Sequence, residues 1–306
     1  MDESCVKVNS AKAWLLAARP KTLTAAAVPV MIGASAAFAL FGSDIRVVPA
    51  VLCLLFALVM QIDANFVNDY FDFMKGTDDE QRLGPKRACA QGWITASAMR
   101  KALLLTTVIA CLIGLPLVCY GGWEMILVGL ACVLFCFLYT ISFSYIGLGD
   151  VLVVVFFGVV PVCLTFWLAS PPQPLLTITL PIIVFSIACG LVIDTLLIVN
   201  NYRDIDNDRR TGKRTLIVRV GKRGGLWLYL LCGVVAALVQ PLFAWCFGLW
   251  AMLLTLLYIP LHVMAFVEMK RIDKGRELNR VLGLTARNIF LYGVLVTIGF
   301  VMSRIL

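Results

Sequence analysis

Two clusters of carboxylates and amides stand at the ends of apolar stretches. The first reads Asn65-Phe66-Val67-Asn68-Asp69-Tyr70-Phe71-Asp72, followed by Lys75-Gly76-Thr77-Asp78-Asp79. The second reads Asn200-Asn201-Tyr202-Arg203-Asp204-Ile205-Asp206-Asn207-Asp208, followed by Thr211-Gly212-Lys213-Arg214. Residues at i and i+4 of a helix share a face, so Asn68 projects with Asp72, and Asn200 with Asp204 and Asp208. Like charges at that spacing repel, and ionised groups beside hydrocarbon mark function by default. Two such patches meeting at one rim make an all-oxygen site suited to Mg²⁺, which favours a few carboxylates together with substrate phosphate oxygens. Bases follow both: Lys75, Arg82, Lys86 and Arg87 after the first, Arg203, Arg209, Arg210, Lys213 and Arg214 after or within the second. Carboxylates alone would hold a metal, whereas carboxylates with bases suit a metal-bound polyanion such as a diphosphate. Helix capping would account for one such cluster; two matched clusters ask for more.

The elements that carry them are membrane helices. The 306 residues are 61% hydrophobic and 14% charged, with a mean hydropathy of +0.94. Soluble chains are about 25% charged, so a soluble multidomain protein, a disordered chain and a disulfide scaffold are all excluded. Apolar segments fall near 22–41, 47–68, 101–119, 122–141, 150–169, 175–200, 225–243, 249–268 and 287–303. At about 20 residues per crossing these predict nine transmembrane helices. With the N-terminus cytoplasmic, 24 of 26 Lys and Arg fall on the cytoplasmic side, leaving Arg46 and Arg304 outside. The positive-inside rule therefore predicts N-in, C-out, and the net charge of +8 reports topology rather than nucleic-acid binding. Of 18 Asp and Glu, only Asp44 and Glu124 fall outside, so the cytoplasmic rim mixes acids with bases.

The clusters share Asn-x-Tyr-x-Asp, at Asn68/Tyr70/Asp72 and Asn200/Tyr202/Asp204, offset by 132 residues. An even number of helices between them returns the second copy to the same membrane face. The expectation is two related four-helix halves plus one helix. The cysteines lie mostly within apolar runs with no C-x-x-C and read as small buried hydrophobes. A single histidine, His262, excludes bis-histidine haem ligation and multi-histidine metal sites; it reads as a hydrogen-bonded bundle residue. No secretory signal precedes Arg19-Pro20-Lys21.

Asn68-Asp69-x-x-Asp72 with Asp78 beyond, and Asp204-x-x-x-Asp208 followed by Gly212-Lys213-Arg214-Thr215-Leu216, resemble the UbiA-type intramembrane prenyltransferases. Arg19-Pro20-Lys21-Thr22, Lys75-Gly76-Thr77-Asp78, Arg82-Leu83-Gly84-Pro85 and Gly147-Leu148-Gly149-Asp150 resemble the branch that acts on 1,4-dihydroxy-2-naphthoate. The likeness covers essentially the whole chain, read as one domain, 1–306, with motif loops at 65–100 and 200–224. The common first motif of the superfamily would place an acid at position 76, which here is Gly, and the third acid falls at Asp78 or Asp79. The naphthoate branch typically has that longer spacing.

The resemblance implies an all-α polytopic fold with nine helices around a central cavity, capped on the cytoplasmic side by the motif loops. It implies Mg²⁺ held by Asn68, Asp72, Asp78, Asp204 and Asp208, and a polyprenyl diphosphate assisted by Lys75, Lys213, Arg214, Arg19 and Lys21. It further implies attack by the dihydroxynaphthoate ring with loss of its carboxylate, giving demethylmenaquinol in a bacterial plasma membrane. Asp72, Asp204, Asp208 and Asp150 are the expected catalytic residues. Tyr139, Ser142, Tyr145 and Asp150, at the cytoplasmic end of the fourth span, are candidates for the aromatic-acceptor site. An interfacial aromatic belt and a helix cap are their alternatives. Asp63 and Asp194 lie deeper, facing either a wet cavity or a polar neighbour. The basic loop Lys270–Arg280 is a solvated surface or a cover for the cavity mouth. A 4-hydroxybenzoate or homogentisate acceptor stands open within the superfamily. A secondary transporter is the rival from another class, though its acids are expected near the midplane. A CDP-alcohol phosphotransferase lacks its Asp-Gly-x-x-Ala-Arg signature here.

Overall fold

The computed structural model describes residues 6–76, 82–142, 145, 147–174 and 178–305. Among them, nine helical segments are long and apolar enough to cross a membrane. We label them α1 (Ala11–Asp44), α2 (Val47–Met74), α3 (Ala96–Gly121), α4 (Glu124–Ile141), α5 (Gly149–Ala169), α6 (Leu180–Arg203), α7 (Leu216–Phe247), α8 (Leu249–Ile272) and α9 (Leu278–Ile305). No strand occurs among the described residues. All nine predicted spans are present.

The helices run past the hydropathy boundaries where a polar stretch keeps an apolar stripe. In α9, Leu278, Val281, Thr285 and Asn288 are buried at helical spacing, so the helix starts nine residues before the expected 287 despite Arg280 and Arg287. In α2 the helix continues to Met74 and carries Asn68, Asp69 and Asp72 in its last two turns. α7 begins at Leu216 with a kink at Gly221 (φ 74°), a backbone region that glycine enters without steric cost. α1 opens with a short helix, Ala11–Ala18, capped by Ser10, and turns at Arg19 (φ 51°) before the membrane helix Leu23–Phe41.

The bundle closes on itself. α9 packs along α1, α6 against α7, α5 against α1 and α6, and α2 against α3 and α4. Where α9 meets α1, a Cβ on Gly293 would stand 2.7 Å from the Val28 side chain, so only glycine permits that spacing. Leu104, Leu112, Leu130, Trp245 and Trp250 are among the large apolar side chains left on the outside, as a lipid-facing surface requires. His262 is a bundle residue, as expected. Its Nδ1 meets Tyr258 Oη at 3.0 Å, its Nε2 meets the Tyr229 carbonyl oxygen at 2.9 Å, and its ring stacks between the two tyrosines. Asp63 has polar neighbours, accepting from Thr106 Oγ1 and, at 2.9 Å, from Thr107 Oγ1.

Candidate active site

The end of α2 fastens the loop that follows it. Asp69, fully buried, accepts from the Ala88 N–H through Oδ2 and from the Cys89 N–H through Oδ1, both at 2.8 Å. The Arg19 guanidinium stands 3.9 Å from the same carboxylate. That clasp delivers the adjacent Arg87, whose Nη2 donates to Asp72 Oδ2 at 3.1 Å in a buried pair. A carboxylate offers about four lone-pair positions, so this contact leaves the group chemically able to bind a cation as well. Asn68 Oδ1 accepts from Thr140 Oγ1 at 2.8 Å, tying α2 to the end of α4. Lys21 is exposed and makes no side-chain contact with either acidic cluster among the described residues. Asp78 and Asp79 lie outside the described residues.

The second cluster is built around Arg203. α6 ends there, and Asp204 leaves helical geometry before the short helix Ile205–Arg210. The N–H of Asp204 still donates to the Asn200 oxygen and the N–H of Asp208 to the Asp204 oxygen, so the expected i, i+4 ladder survives the break. The buried Arg203 grips Asp204 with two bonds, Nε to Oδ1 at 2.8 Å and Nη2 to Oδ2 at 2.6 Å. Its Nη1 donates to Asn279 Oδ1 at 2.7 Å, and Asn279 Nδ2 donates to the Leu83 oxygen at 2.8 Å. Arg276 Nη2 adds a bond to the Arg82 oxygen at 3.3 Å. A Cβ on Gly84 would lie 2.7 Å from Arg203 Nη2, so glycine admits the guanidinium under the loop. The start of α9 and Arg276 just before it thus latch the loop after the first cluster to the second cluster.

The clusters converge. Lys75 Nζ lies 4.5 Å and Lys213 Nζ 5.0 Å from the centre of the Tyr145 ring. Lys75 also donates to the Ile141 oxygen at 3.0 Å, and the Arg214 N–H donates to the Tyr145 oxygen at 2.9 Å. The Arg214 side chain is exposed. Burial pushes Lys75 below its ordinary range; Asp72 opposes that and Lys213 adds to it. Burial pushes Asp208 up to about 7, with the charges of Asp204 and Asp72 acting in the same direction and Lys213 and Arg203 against it. Carboxylates from both clusters therefore feel one another, an arrangement that a cation relieves. Among the described residues, no three acidic, histidine or cysteine side chains stand close enough to hold a metal ion alone. Mg²⁺ is ordinarily held by one or two carboxylates plus substrate phosphates and water, so this oxygen donor set fits it without a complete protein cage.

Beside the clusters, Tyr139, Gly149, Asp150, Leu197, Asn201 and Thr215 line a small cavity. Asp150 is at the first turn of α5, and its buried Oδ1 has no hydrogen-bond partner. Tyr139, near the end of α4, lines the cavity and lies within electrostatic reach of Asp150, Asp194, Asp72 and Asp208. Tyr145 is not among the lining residues; it belongs with the lysines.

The model of the UbiA prenyltransferase family matches residues 26–295. The chain belongs to the UbiA prenyltransferase family. It is 36% identical over 225 residues to the 1,4-dihydroxy-2-naphthoate octaprenyltransferase of Escherichia coli (strain K12), covering 71% of each chain. It is 31% identical over 302 residues to that of Haemophilus influenzae, covering 95% of this chain and 96% of the relative. The apo structure of a UbiA homolog from Aeropyrum pernix K1 superposes with a TM-score of 0.68 at 12% identity, covering 91% of this chain and 97% of that one. A UbiA homolog from Archaeoglobus fulgidus bound to DMAPP and Mg²⁺ gives 0.56 at 14%, covering 92% and 98%. These likenesses bear out the all-helical fold of nine membrane helices, and the family makes this chain a prenyltransferase.

In this UbiA-family enzyme Asp69, Gly84, Asn201 and Thr215 lie inside the sequence motifs but carry no role there, while Asn279 and Leu197 lie outside them. Asp69 carried a signal, being an acid inside the first motif that breaks the i, i+4 pattern of Asn68 and Asp72. Asn279 carried none.

Proposed function

We propose that this chain transfers a polyprenyl group from a polyprenyl diphosphate to 1,4-dihydroxy-2-naphthoate with loss of the ring carboxylate as carbon dioxide. The products are demethylmenaquinol, diphosphate and carbon dioxide, as menaquinone synthesis requires. The observation that carries this reading is the meeting of two acid-and-base clusters at one rim, beside a cavity lined by Tyr139 and Asp150. The naphthoate relatives named above, matched over most of their length, support the acceptor.

Asn68, Asp72, Asp204 and Asp208, with Asp78, would hold Mg²⁺. Bound there, Mg²⁺ would supply positive charge to stabilise the departing diphosphate. Lys75 and Lys213 flank Tyr145 and are placed to take diphosphate oxygens; Arg214 and Arg19 add positive charge nearby, and Lys21 stands further out. Arg87 and Arg203 orient Asp72 and Asp204, as outer partners of metal-binding groups commonly do. As the allylic C–O bond breaks, the electron-rich ring forms the new C–C bond from the side of the cavity. Asp150 accepts a hydrogen bond from a ring hydroxyl, Tyr139 packs beside the ring, and the docked loops exclude water. The chain acts as one intramembrane domain, 1–306. Its N-terminus and clusters face the cytoplasm and its C-terminus lies outside, in a bacterial plasma membrane, in keeping with the 24-to-2 partition of basic residues.

The test is product analysis with purified protein, a polyprenyl diphosphate, Mg²⁺ and dihydroxynaphthoate labelled in its carboxylate. The expected result is a prenylated naphthoquinol with release of one labelled carbon dioxide per product. Product from 4-hydroxybenzoate instead would move the acceptor assignment. Product that retains the label would overturn the decarboxylation.

A further inference from the structure

Among the described residues, two buried acids each keep a fully buried carboxyl oxygen without a hydrogen-bond partner, and they stand on facing helices. Asp63 has its threonines, Asp69 its two backbone N–H groups and Asp72 its arginine. Asp150 and Asp194, 6% and 3% exposed, each have a buried Oδ1 with no hydrogen-bond partner.

Their placement follows from the packing of α5 on α6. A Cβ on Gly190 would lie 2.8 Å from the Val154 Cα, and a Cβ on Gly149 would lie 3.5 Å from Leu197 Cδ2. The two helices are therefore antiparallel and nearly in backbone contact, with Gly149 opposite Leu197 and Val154 opposite Gly190. Asp150 and Asp194 fall between those two contacts, on facing helices. The charge of Asp150 reaches Asp194, and both acids reach Tyr139 of α4 and Cys232 of α7. Asp194, Leu197 and Asn201 share one face of α6 at i, i+3 and i+7. Leu197 and Asn201 line the cavity with Asp150, so Asp194 lies about one helical turn from that lining, on the same face of α6.

Two carboxyls that each bury an unpaired oxygen beside a cavity are costly to the fold and call for a hydroxyl donor from the ligand. We propose that Asp194, paired with Asp150, binds the acceptor ring hydroxyl that points into the bundle and selects a 1,4-dihydroxy aromatic over its monohydroxy analogue. The inference deepens the naphthoate prenyl-transfer reading and rests on it. A carboxylate that accepts this hydrogen bond raises electron density in the ring, which favours attack on the allylic centre. An analogue without the hydroxyl leaves the pair buried and unsatisfied in the complex. Sites built to bond a hydroxyl reject such analogues far more strongly than apolar pockets reject a missing methylene.

The experiment compares 1,4-dihydroxy-2-naphthoate with 1-hydroxy-2-naphthoate in the full-length protein, wild type and Asp194→Asn. It uses steady-state turnover, and binding followed by naphthol fluorescence. In the wild type, the dihydroxy acceptor should be preferred about 10²-fold or more in kcat/KM. Asp194→Asn is near-isosteric and should reduce that preference to within about threefold, chiefly by losing the dihydroxy substrate, with KM for the prenyl diphosphate unchanged. Asp150→Asn should weaken discrimination in the same direction. Equal losses for both naphthols, a rise in donor KM, or an unchanged preference would each overturn the assignment. A wild type that prenylates neither naphthol would instead overturn the transferase reading. The fluorescence titration still decides the acid pair in that case, because equal affinities for the two naphthols refute it.

Discussion

Asp69 is expected to act as the clasp of the loop that follows α2 rather than as a metal ligand, and its removal separates the two roles. Asp69→Ala deletes two charge-assisted bonds, each 2.8 Å long, to the N–H groups of Ala88 and Cys89, which are themselves almost completely buried. Hydrogen bonds to a charged group are worth about 1.5–3 kcal/mol each, and buried donors left unpaired forfeit that value. Taking the lower half of the range, docking of this segment weakens by about 3–4 kcal/mol. Each 1.4 kcal/mol is tenfold, so the open population rises roughly 10²- to 10³-fold. Asp69→Asn keeps the shape but turns an NH₂ toward one of the two donors, and should lie between. The assay is hydrogen–deuterium exchange of the segment spanning Lys86–Gly92 in lipid nanodiscs. Asp72→Asn serves as the contrast, since it removes the Arg87 ion pair but leaves the clasp, and should change exchange less than tenfold. Exchange in Asp69→Ala within about threefold of wild type would refute the reasoning. Activity should fall in parallel, because the opened loop carries Arg87 away from Asp72.

Asn279→Ala cuts the latch between Arg203 and the Leu83 oxygen; at about 2 kcal/mol for the two bonds, Mn²⁺ affinity measured by electron paramagnetic resonance should fall about tenfold or more. Unchanged affinity would confine Asn279 to holding the loop. Tyr145→Leu removes the ring shared by Lys75 and Lys213, each contact being worth about 0.5–1 kcal/mol. Steady-state kinetics should show KM for the prenyl diphosphate rising about 3- to 10-fold with acceptor KM constant, whereas a rise in acceptor KM alone would return Tyr145 to the acceptor site. Asp273 is held below the usual carboxylate range by the Tyr202 hydroxyl at 2.7 Å and by Lys222. A depressed carboxyl stabilises the fold above its unfolded pKa, about 3.9, and that contribution is lost as pH falls through the lower folded value. Thermal stability of Asp273→Asn should therefore lie below wild type at pH 6 and converge with it toward pH 3; a constant gap would count against the linkage.

The membrane fold was legible because hydropathy and charge asymmetry are coarse signals summed over 20 residues at a time. Their limits show at α9, where Arg280 and Arg287 masked a helical start that Leu278, Val281 and Thr285 supply from one buried stripe. The pairing of Asn68 with Asp72 and of Asp204 with Asp208 was legible because residues four apart on a helix share a face. The partners that tie the clusters across the fold were not. Asn279 meets Leu83 over 196 positions and Arg203 over 76, and no local pattern encodes such a contact. Tyr145 was placed by its type and its loop as an acceptor aromatic, yet Lys75 and Lys213 take its ring. Asp194 was noticed as an intramembrane acid, but only the close approach at Gly190 shows it facing Asp150.

The central claim is that both clusters act on one metal-bound diphosphate, and transfer of a radiolabelled prenyl group in detergent tests it most directly. Purified protein receives labelled farnesyl diphosphate, dihydroxynaphthoate and Mg²⁺, with parallel reactions containing EDTA, Asp72→Ala or Asp208→Ala. Prenylated naphthoquinol that needs Mg²⁺ and is lost in each variant is the predicted result. Product that survives EDTA, or loss in only one of the two variants, would contradict a shared metal site. No product with a folded wild type, longer donors included, would contradict the transferase account itself.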